Sequence, residues 1–146
     1  MAELPDKLNE ILADFDFVTT HSERAELLID LADRFQKVPE CIATPPYPED
    51  HRVPFCESEA YVWAEDQPGD TLKFYFAVEN PQGLSAMALA VILDETLSGA
   101  PLEQVAEVSP DIVLKIFGHD ISMGKGQGLM GMVTMVRSAA RHLEHE

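Results

Sequence analysis

One cysteine stands where a thiol could do chemistry. Cys56 lies in the segment HRVPFCESEAYVW, after a proline-rich stretch and directly before a β-rich one, so we expect it in a loop that a reactant can reach. His51 and Arg52 precede it closely, and positive charge favours the thiolate, which is the nucleophilic form. The alternative is that Cys56 is a small buried apolar residue, as free cysteines often are. We interpret it as the leading candidate for reactivity.

Cys41 begins the same proline-rich segment and allows several interpretations. The simplest is a buried apolar anchor just after a helix. A structural disulfide with Cys56 is disfavoured in a reducing cytosol. A zinc site would combine Cys41, His51, Cys56 and another histidine, but these residues lack the close pairing that is usual for zinc ligands. We therefore predict a structural role for Cys41.

Other motifs point less clearly to chemistry. The glycine-rich segment 118–128 resembles a phosphate-binding loop only in composition, because such a loop needs Ser or Thr after its lysine and here Gly126 follows Lys125. We therefore reject nucleotide binding. The remaining histidines are dispersed along the chain, and no Ser-His-Asp arrangement can be read from the order of the residues.

Composition limits the class of protein. The chain has 146 residues, 46% of them hydrophobic, and 26 acidic against 10 basic side chains give a formal net charge of −16. One domain spanning residues 1–146 fits this length. Tight binding to nucleic acid or to an anionic membrane needs clustered cations, which this chain lacks. The longest apolar run, 86–93, is too short to span a bilayer and the N-terminal segment is polar, so we expect a cytoplasmic protein.

The spacing of apolar residues predicts an α+β fold, with helices packed around a small antiparallel sheet. Steps of three and four residues predict helices, alternation predicts strands, and the prolines within 38–55 predict an irregular loop. Pro68 and Gly69 predict a hairpin turn, and segment 118–128 is predicted to interrupt the helical pattern. The predicted helices span 4–15, 22–36 (with Ser22 as N-cap), 84–97, 101–105, 110–117 and about 129–143, and the strands span 60–64 and 72–78.

Three segments, in the correct order, resemble those of SufE-type sulfur-acceptor proteins. HRVPFCESEAYVW is similar to that family's active-site pattern R-V-x-G-C-Q-S-x-x-W, and LSGAPLEQV is similar to its L-x-G-x-x-x-E-x-I segment. ISMGKGQGLMGMVTMVR is similar to L-S-P-S-R-x-x-G-L-x-x-M-x-x-x-I-R. The matching residues in the first and third segments are Arg52, Val53, Cys56, Ser58, Trp63, Ser122, Gly128, Leu129, Met132 and Arg137. The resemblance extends over nearly the whole chain and implies a SufE/IscU-like fold.

The chain departs from the family pattern at several positions. Phe55 and Glu57 stand where the family has Gly and Gln on either side of the cysteine. Lys125 takes the place of the basic residue in the S-P-S-R segment, and Glu79 and Asn80 take the place of Ser-Asp before the central helix. The resemblance makes Lys125, Glu79 and Asn80 the candidates for partner docking.

The resemblance implies a persulfide relay. A group II cysteine desulfurase, which carries its own pyridoxal phosphate, would hold sulfur as a persulfide. The Cys56 thiolate would take this sulfur, thereby stimulating the desulfurase, and deliver it to an iron–sulfur assembly scaffold. Arg52, His51 and Ser58 would support the thiolate and its loop. The chain would need no cofactor or metal of its own and would be the partner of an enzyme rather than a stand-alone enzyme. A persulfide is easily oxidised or reduced, so a sheltered Cys56 on a movable loop is expected.

Two other functions stay open from the sequence. In the first, the chain is a non-catalytic module that binds and regulates the desulfurase, and Phe55 has closed the sulfur site. In the second, Cys41 and Cys56 form a thiol–disulfide redox pair. Such a pair is excluded without backbone movement where the two Cα atoms lie farther apart than about 7 Å.

Overall fold

Helices surround a two-stranded antiparallel sheet in the computed structural model, which describes residues 3–119 and 121–144. The elements are α1 (Asp6–Asp16), α2 (His21–Ala32), a 3₁₀ turn (Glu49–His51), β1 (Ala60–Gln67), β2 (Thr71–Val78), α3 (Leu84–Leu97), α4 (Leu102–Val105), α5 (Ile112–Phe117) and α6 (Met123–Glu144). This arrangement confirms the predicted α+β class. The predicted bounds of α1, α3, α4 and α5 agree with the observed ones to within two residues.

The hairpin divides the core into two parts. Its register runs from Ala60 opposite Val78 to Gln67 opposite Thr71, so β1 extends beyond its predicted end at Ala64. On one face, alternate residues such as Phe74 join the main core, where β2 contacts α3 and β1 contacts α6. Side chains on a strand alternate between faces, so the intervening residues point the other way. The sheet therefore needs a second cover on its outer face.

The proline-rich loop supplies that cover. A separate apolar cluster joins Val38 and Tyr47 of the loop with Tyr61, Trp63 and Ala77 of the sheet. The Tyr47 ring lies 5.2 Å from the Tyr61 ring and 5.1 Å from the Trp63 ring, measured between centroids. The loop is thus held down along the sheet, and its end is fixed where the Cys56 segment begins.

Tyr47→Phe is expected to reduce the loss of stability at alkaline pH. Burial raises the pKa of the Tyr47 hydroxyl above 10.0, and negative charge on Glu79 and Tyr61 raises it further. The folded state therefore holds this proton more tightly, and the stability it contributes is complete below pH 10.0 and is lost as the pH rises past it. Urea unfolding between pH about 9 and about 11 measures this slope. An equally steep slope in Tyr47→Phe would contradict the expectation.

Two predicted bounds of α2 are wrong. The N-cap is Thr20 and not Ser22, because the Thr20 hydroxyl accepts the Glu23 N–H at 3.1 Å. The helix ends at Ala32 and not at Gln36. Beyond Ala32 the chain tightens into turns, and the Val38 N–H then donates to the Phe76 carbonyl at 2.8 Å. This bond to the edge of β2 draws the chain away from the helix axis.

The prediction that segment 118–128 interrupts the helices is also wrong for residues 123–128. α6 begins at Met123, so three glycines that were predicted to break the pattern are helical. The Ser122 hydroxyl accepts the Lys125 N–H at 3.3 Å, and the Ser122 carbonyl accepts the Gly126 N–H at 2.9 Å. Such a cap starts a helix even where glycine disfavours it.

Candidate functional site

Cys56 lies at the tip of a tight loop that joins the proline-rich segment to β1. At its base, Arg52 forms a β-bridge with Tyr61, and the Val53 N–H donates to the Ala60 carbonyl at 2.9 Å. The Cys56 carbonyl accepts the Glu59 N–H at 3.1 Å. Cys56 is only 7% exposed, so the expectation of a thiol that reactants can reach is wrong for this conformation. Its burial agrees with the sheltered cysteine that the family resemblance implies.

The α6 backbone provides the shelter. A Cβ atom added to Gly128 would lie 2.9 Å from the Cys56 Cα and 3.3 Å from the Phe55 carbonyl oxygen. One added to Gly131 would lie 2.9 Å from a methyl carbon of Val53. The two distances of 2.9 Å are below van der Waals contact, so only glycine lets the loop lie this close to the helix. This role of the glycines was not predicted, although their spacing along an amphipathic helix was a signal for it.

Two non-glycine residues of the loop have left-handed backbone conformations. Phe55 has φ 58° and Glu59 has φ 53°, on either side of the cysteine. Phe55 is 80% exposed, so its ring points into solvent and contributes little cover to the sulfur. The alternative in which Phe55 closes the site therefore has no support in this conformation.

Asn80 braces the loop from the side. Its backbone N–H donates to the Ser58 carbonyl at 3.2 Å, and its Nδ2 donates to the Glu57 carbonyl at 3.2 Å. Its Oδ1 accepts the Gln82 N–H at 2.9 Å. The Glu79 N–H donates to the Glu59 carbonyl at 3.1 Å and extends the same contact. Glu79 and Asn80, predicted as docking residues, thus both hold the loop, and docking stays a prediction.

Asn80→Asp is expected to loosen the loop while leaving the fold intact. The carboxylate keeps the acceptor for the Gln82 N–H but loses the donor to the Glu57 carbonyl. Loss of one such bond costs about 1 kcal/mol. Amide hydrogen exchange at Glu59 should therefore become faster, while exchange in α3 changes less. Gln82→Ala is the control, because it leaves the backbone donor in place, and equal exchange in both variants would contradict the assignment.

The two basic residues before the cysteine are engaged elsewhere. The His51 Nδ1–H donates to the Val62 carbonyl at 2.9 Å, and the ring stacks on Trp63 at 5.2 Å between centroids. Trp63 belongs to the outer cluster of the sheet whereas Cys56 belongs to the main core, so His51 lies on the other face of the hairpin. Arg52 is half-buried, with its guanidinium 3.9 Å from the Glu49 carboxylate. The sequence predicted that both would support the Cys56 thiolate, but the structure brings neither of them to the sulfur.

Lys125, which was predicted to take part in partner docking, lies on α6 near the contact between that helix and the Cys56 loop. It is exposed in the first turn of α6, three residues before Gly128, which places it about 4.5 Å along the helix axis from the Cys56 contact. Ser58, the remaining predicted site residue, is half-buried, and its Cβ would lie 3.0 Å from a Cβ added to Gly83. Ser58 and Asn80 thus belong to the loop and its brace, Lys125 lies within one helical turn of the Gly128 contact, and His51 is outside the group.

Cys41 is exposed, so the prediction of a buried anchor is wrong. The chain turns after Pro39, whose carbonyl accepts the Ile42 N–H at 2.9 Å, and Ile42 packs against the outer cluster in place of Cys41. Both cysteines are free thiols. Within residues 3–119 and 121–144, no group of His, Cys, Asp and Glu is arranged to hold a metal ion. No helix in the same part of the chain has the length and apolarity needed to cross a membrane.

Comparisons with known proteins relate the whole chain to one family. Residues 9–140 match the family model described as "SufE: Fe-S metabolism associated domain". The chain is 26% identical over 143 residues to SufE-like protein 1, chloroplastic/mitochondrial, of Arabidopsis thaliana; the match covers 97% of this chain and 37% of that protein. The fold matches the solution structure of a hypothetical protein from Thermus thermophilus, with a TM-score of 0.75, 24% identity and coverage of 98% and 99% of the two chains. This chain belongs to the SufE family of Fe–S metabolism.

Proposed function

We propose that this protein is a sulfur acceptor, in which Cys56 takes sulfur from the persulfide of a group II cysteine desulfurase and passes it to an iron–sulfur assembly scaffold. The observation that carries the proposal is the seating of Cys56 against the glycine backbone of α6. A cysteine at the tip of a surface loop that is nevertheless 7% exposed suits a sulfur that has to be kept from solvent oxidants between transfers.

The transfer is an exchange between thiols and balances without an added oxidant. The Cys56 thiolate attacks the terminal sulfur of the donor persulfide. The new S–S bond forms on Cys56 as the donor S–S bond breaks, and the donor cysteine leaves as a thiolate. The same exchange onto an acceptor thiol of the scaffold restores Cys56. The pyridoxal phosphate that releases sulfur from free cysteine belongs to the desulfurase.

The loop has to move for this reaction. An attacking sulfur needs an open approach along the donor S–S bond, and the α6 backbone occupies one side of Cys56. For the loop to open, the close contact with Gly128, the Asn80 bonds to Glu57 and Ser58, and the Glu79 bond to Glu59 must break. The Val53 bond to Ala60 at the base remains as a hinge. Binding of the partner would shift the loop from the sheltered to the open position. The compartment that we propose for this encounter is the cytoplasm.

Mass spectrometry tests the proposal. The protein is incubated with a group II desulfurase and free cysteine, quenched with an alkylating reagent and digested. We expect the alkylated peptide that contains Cys56 to gain the mass of one sulfur atom, and the peptide that contains Cys41 to carry the alkyl group without added sulfur. No gain of sulfur, or a gain at Cys41 alone, would contradict the proposal. Omission of free cysteine is the control that should abolish the gain.

A further inference from the structure

Phe55 is a costly residue for the folded protein. A non-glycine residue at φ 58° is strained relative to glycine, and an aromatic side chain has no polar group to offset this strain through a local hydrogen bond. Burial does not repay it either, because the ring is 80% exposed. Asp70 has a similar φ in the hairpin turn, but aspartate tolerates that conformation. Nothing in the fold of the single chain therefore accounts for phenylalanine at this position.

The exposed ring belongs to the residue next to the cysteine that a partner must reach. Phe55 directly precedes Cys56, and its carbonyl lies against Gly128. Another exposed apolar side chain lies beside the same loop. Leu84, 42% exposed, follows the glycine that contacts Ser58. We call Phe55 and Leu84 the thiol rim.

The charge around the thiol rim indicates the chemistry of its partner. Glu57, Glu59 and Glu79 are exposed next to it, Lys125 is an exposed base three residues before Gly128, and the whole chain carries a formal net charge of −16. A surface with an apolar centre and a mainly acidic surround is complementary to an apolar pocket bordered by basic side chains. The structure holds Cys56 as a free thiol, which is the state that meets the sulfur donor, so we match the thiol rim to that protein.

We propose that Phe55 is an aromatic anchor that inserts into an apolar pocket, bordered by basic side chains, beside the persulfide of the sulfur-donating desulfurase. The inference rests on the proposed function of Cys56. Aromatic residues that enter a pocket at the centre of an interface contribute a large share of the binding free energy. Insertion next to the reacting cysteine also draws the loop from its seat, so that docking and exposure of the sulfur are one event.

Phe55→Gly tests the anchor because it should raise the stability of the protein and weaken its binding to the desulfurase. Glycine adopts φ 58° without strain, so the variant should unfold at a higher urea concentration than the wild-type protein. Its binding to the desulfurase, measured by calorimetry, should be weaker by roughly 30-fold, the change expected for loss of a hot-spot side chain. The concentration of acceptor that half-saturates sulfur transfer should rise in parallel, and the rate at saturation should fall, because no ring is left to draw the Cys56 loop from its seat.

Two further variants make the result specific. Phe17→Ala removes a ring that is 82% exposed at the end of α1, and it should leave binding within about twofold of the wild-type value. Phe55→Tyr keeps an aromatic ring and should retain most of the affinity. Equal binding by Phe55→Gly and the wild-type protein would overturn the anchor, even where Cys56 still gains sulfur. Failure of wild-type Cys56 to gain sulfur would instead overturn the proposed function.

Discussion

Cys56→Ser is expected to abolish both sulfur uptake and stimulation of the desulfurase. A serine hydroxyl is nearly isosteric with the thiol, but it does not ionise near neutral pH and cannot hold a terminal sulfur. Because Cys56 is 7% exposed, the new hydroxyl costs on the order of 1 kcal/mol of stability, which leaves the protein folded. Mass spectrometry measures the uptake, and the rate of alanine release by the desulfurase measures the stimulation.

Cys41→Ser is the matched control. Cys41 is exposed and lies in the turn after Pro39, so serine should change neither stability nor sulfur uptake. The pair of variants also separates the redox alternative from sulfur transfer. A Cys41/Cys56 redox pair would make both substitutions equally damaging. Equal loss in the two variants, or persistent sulfur uptake by Cys56→Ser, would contradict the relay.

Gly128→Ala is expected to loosen the seat of the Cys56 loop. The added methyl group would lie 2.9 Å from the Cys56 Cα and 3.2 Å from its Cβ, and the backbone of a tight loop cannot yield as a flexible side chain would. Overpacking of this kind costs about 1–3 kcal/mol, against a gain of up to about 1 kcal/mol from replacing glycine in a helix. We therefore expect the free energy of unfolding to fall by about 1–2 kcal/mol.

The same substitution should make the thiol easier to reach. A shift of about 1–2 kcal/mol in the balance between seated and open loop raises the open population by a factor of roughly 5–30. Alkylation of Cys56 by a small reagent should accelerate by that factor, with alkylation of Cys41 as an internal reference. Gly124→Ala is the control: nothing lies within 4 Å of its added methyl group, so helix propensity alone should act and stabilise the protein. Slower alkylation in Gly128→Ala would contradict the proposed seat.

Local sequence patterns correctly predicted those helices and strands whose tertiary contacts favour the same structure. α3 is apolar on nearly every side, which requires a buried helix whatever surrounds it, and its observed bounds are the predicted ones. The hairpin followed from alternation on both strands and from the turn at Pro68 and Gly69. Each of these signals lies within a few residues of the feature it predicts, so contacts with the rest of the fold do not change the predicted element.

Features that depend on distant contacts were not predictable in this way. α2 ends early because the Val38 N–H bonds to the edge of β2, some forty residues on. Cys41 is exposed because Ile42 takes the place against the sheet. His51 precedes Cys56 closely in sequence, yet it stacks on Trp63 on the other face of the hairpin. In each case a partner far along the chain decides where the side chain goes.

The sequence by itself determined the class of fold, the acidic character of the surface and the identity of the candidate thiol, because these depend on residue types and short spacings. Only the tertiary structure decided that the thiol is sheltered, that glycines of α6 form its seat, and that Phe55 stands exposed in a left-handed conformation beside it. The physical reason is that burial and close approach are properties of two segments together. Cys56 and Gly128 are far apart along the chain, and neither segment specifies alone how close the other will lie.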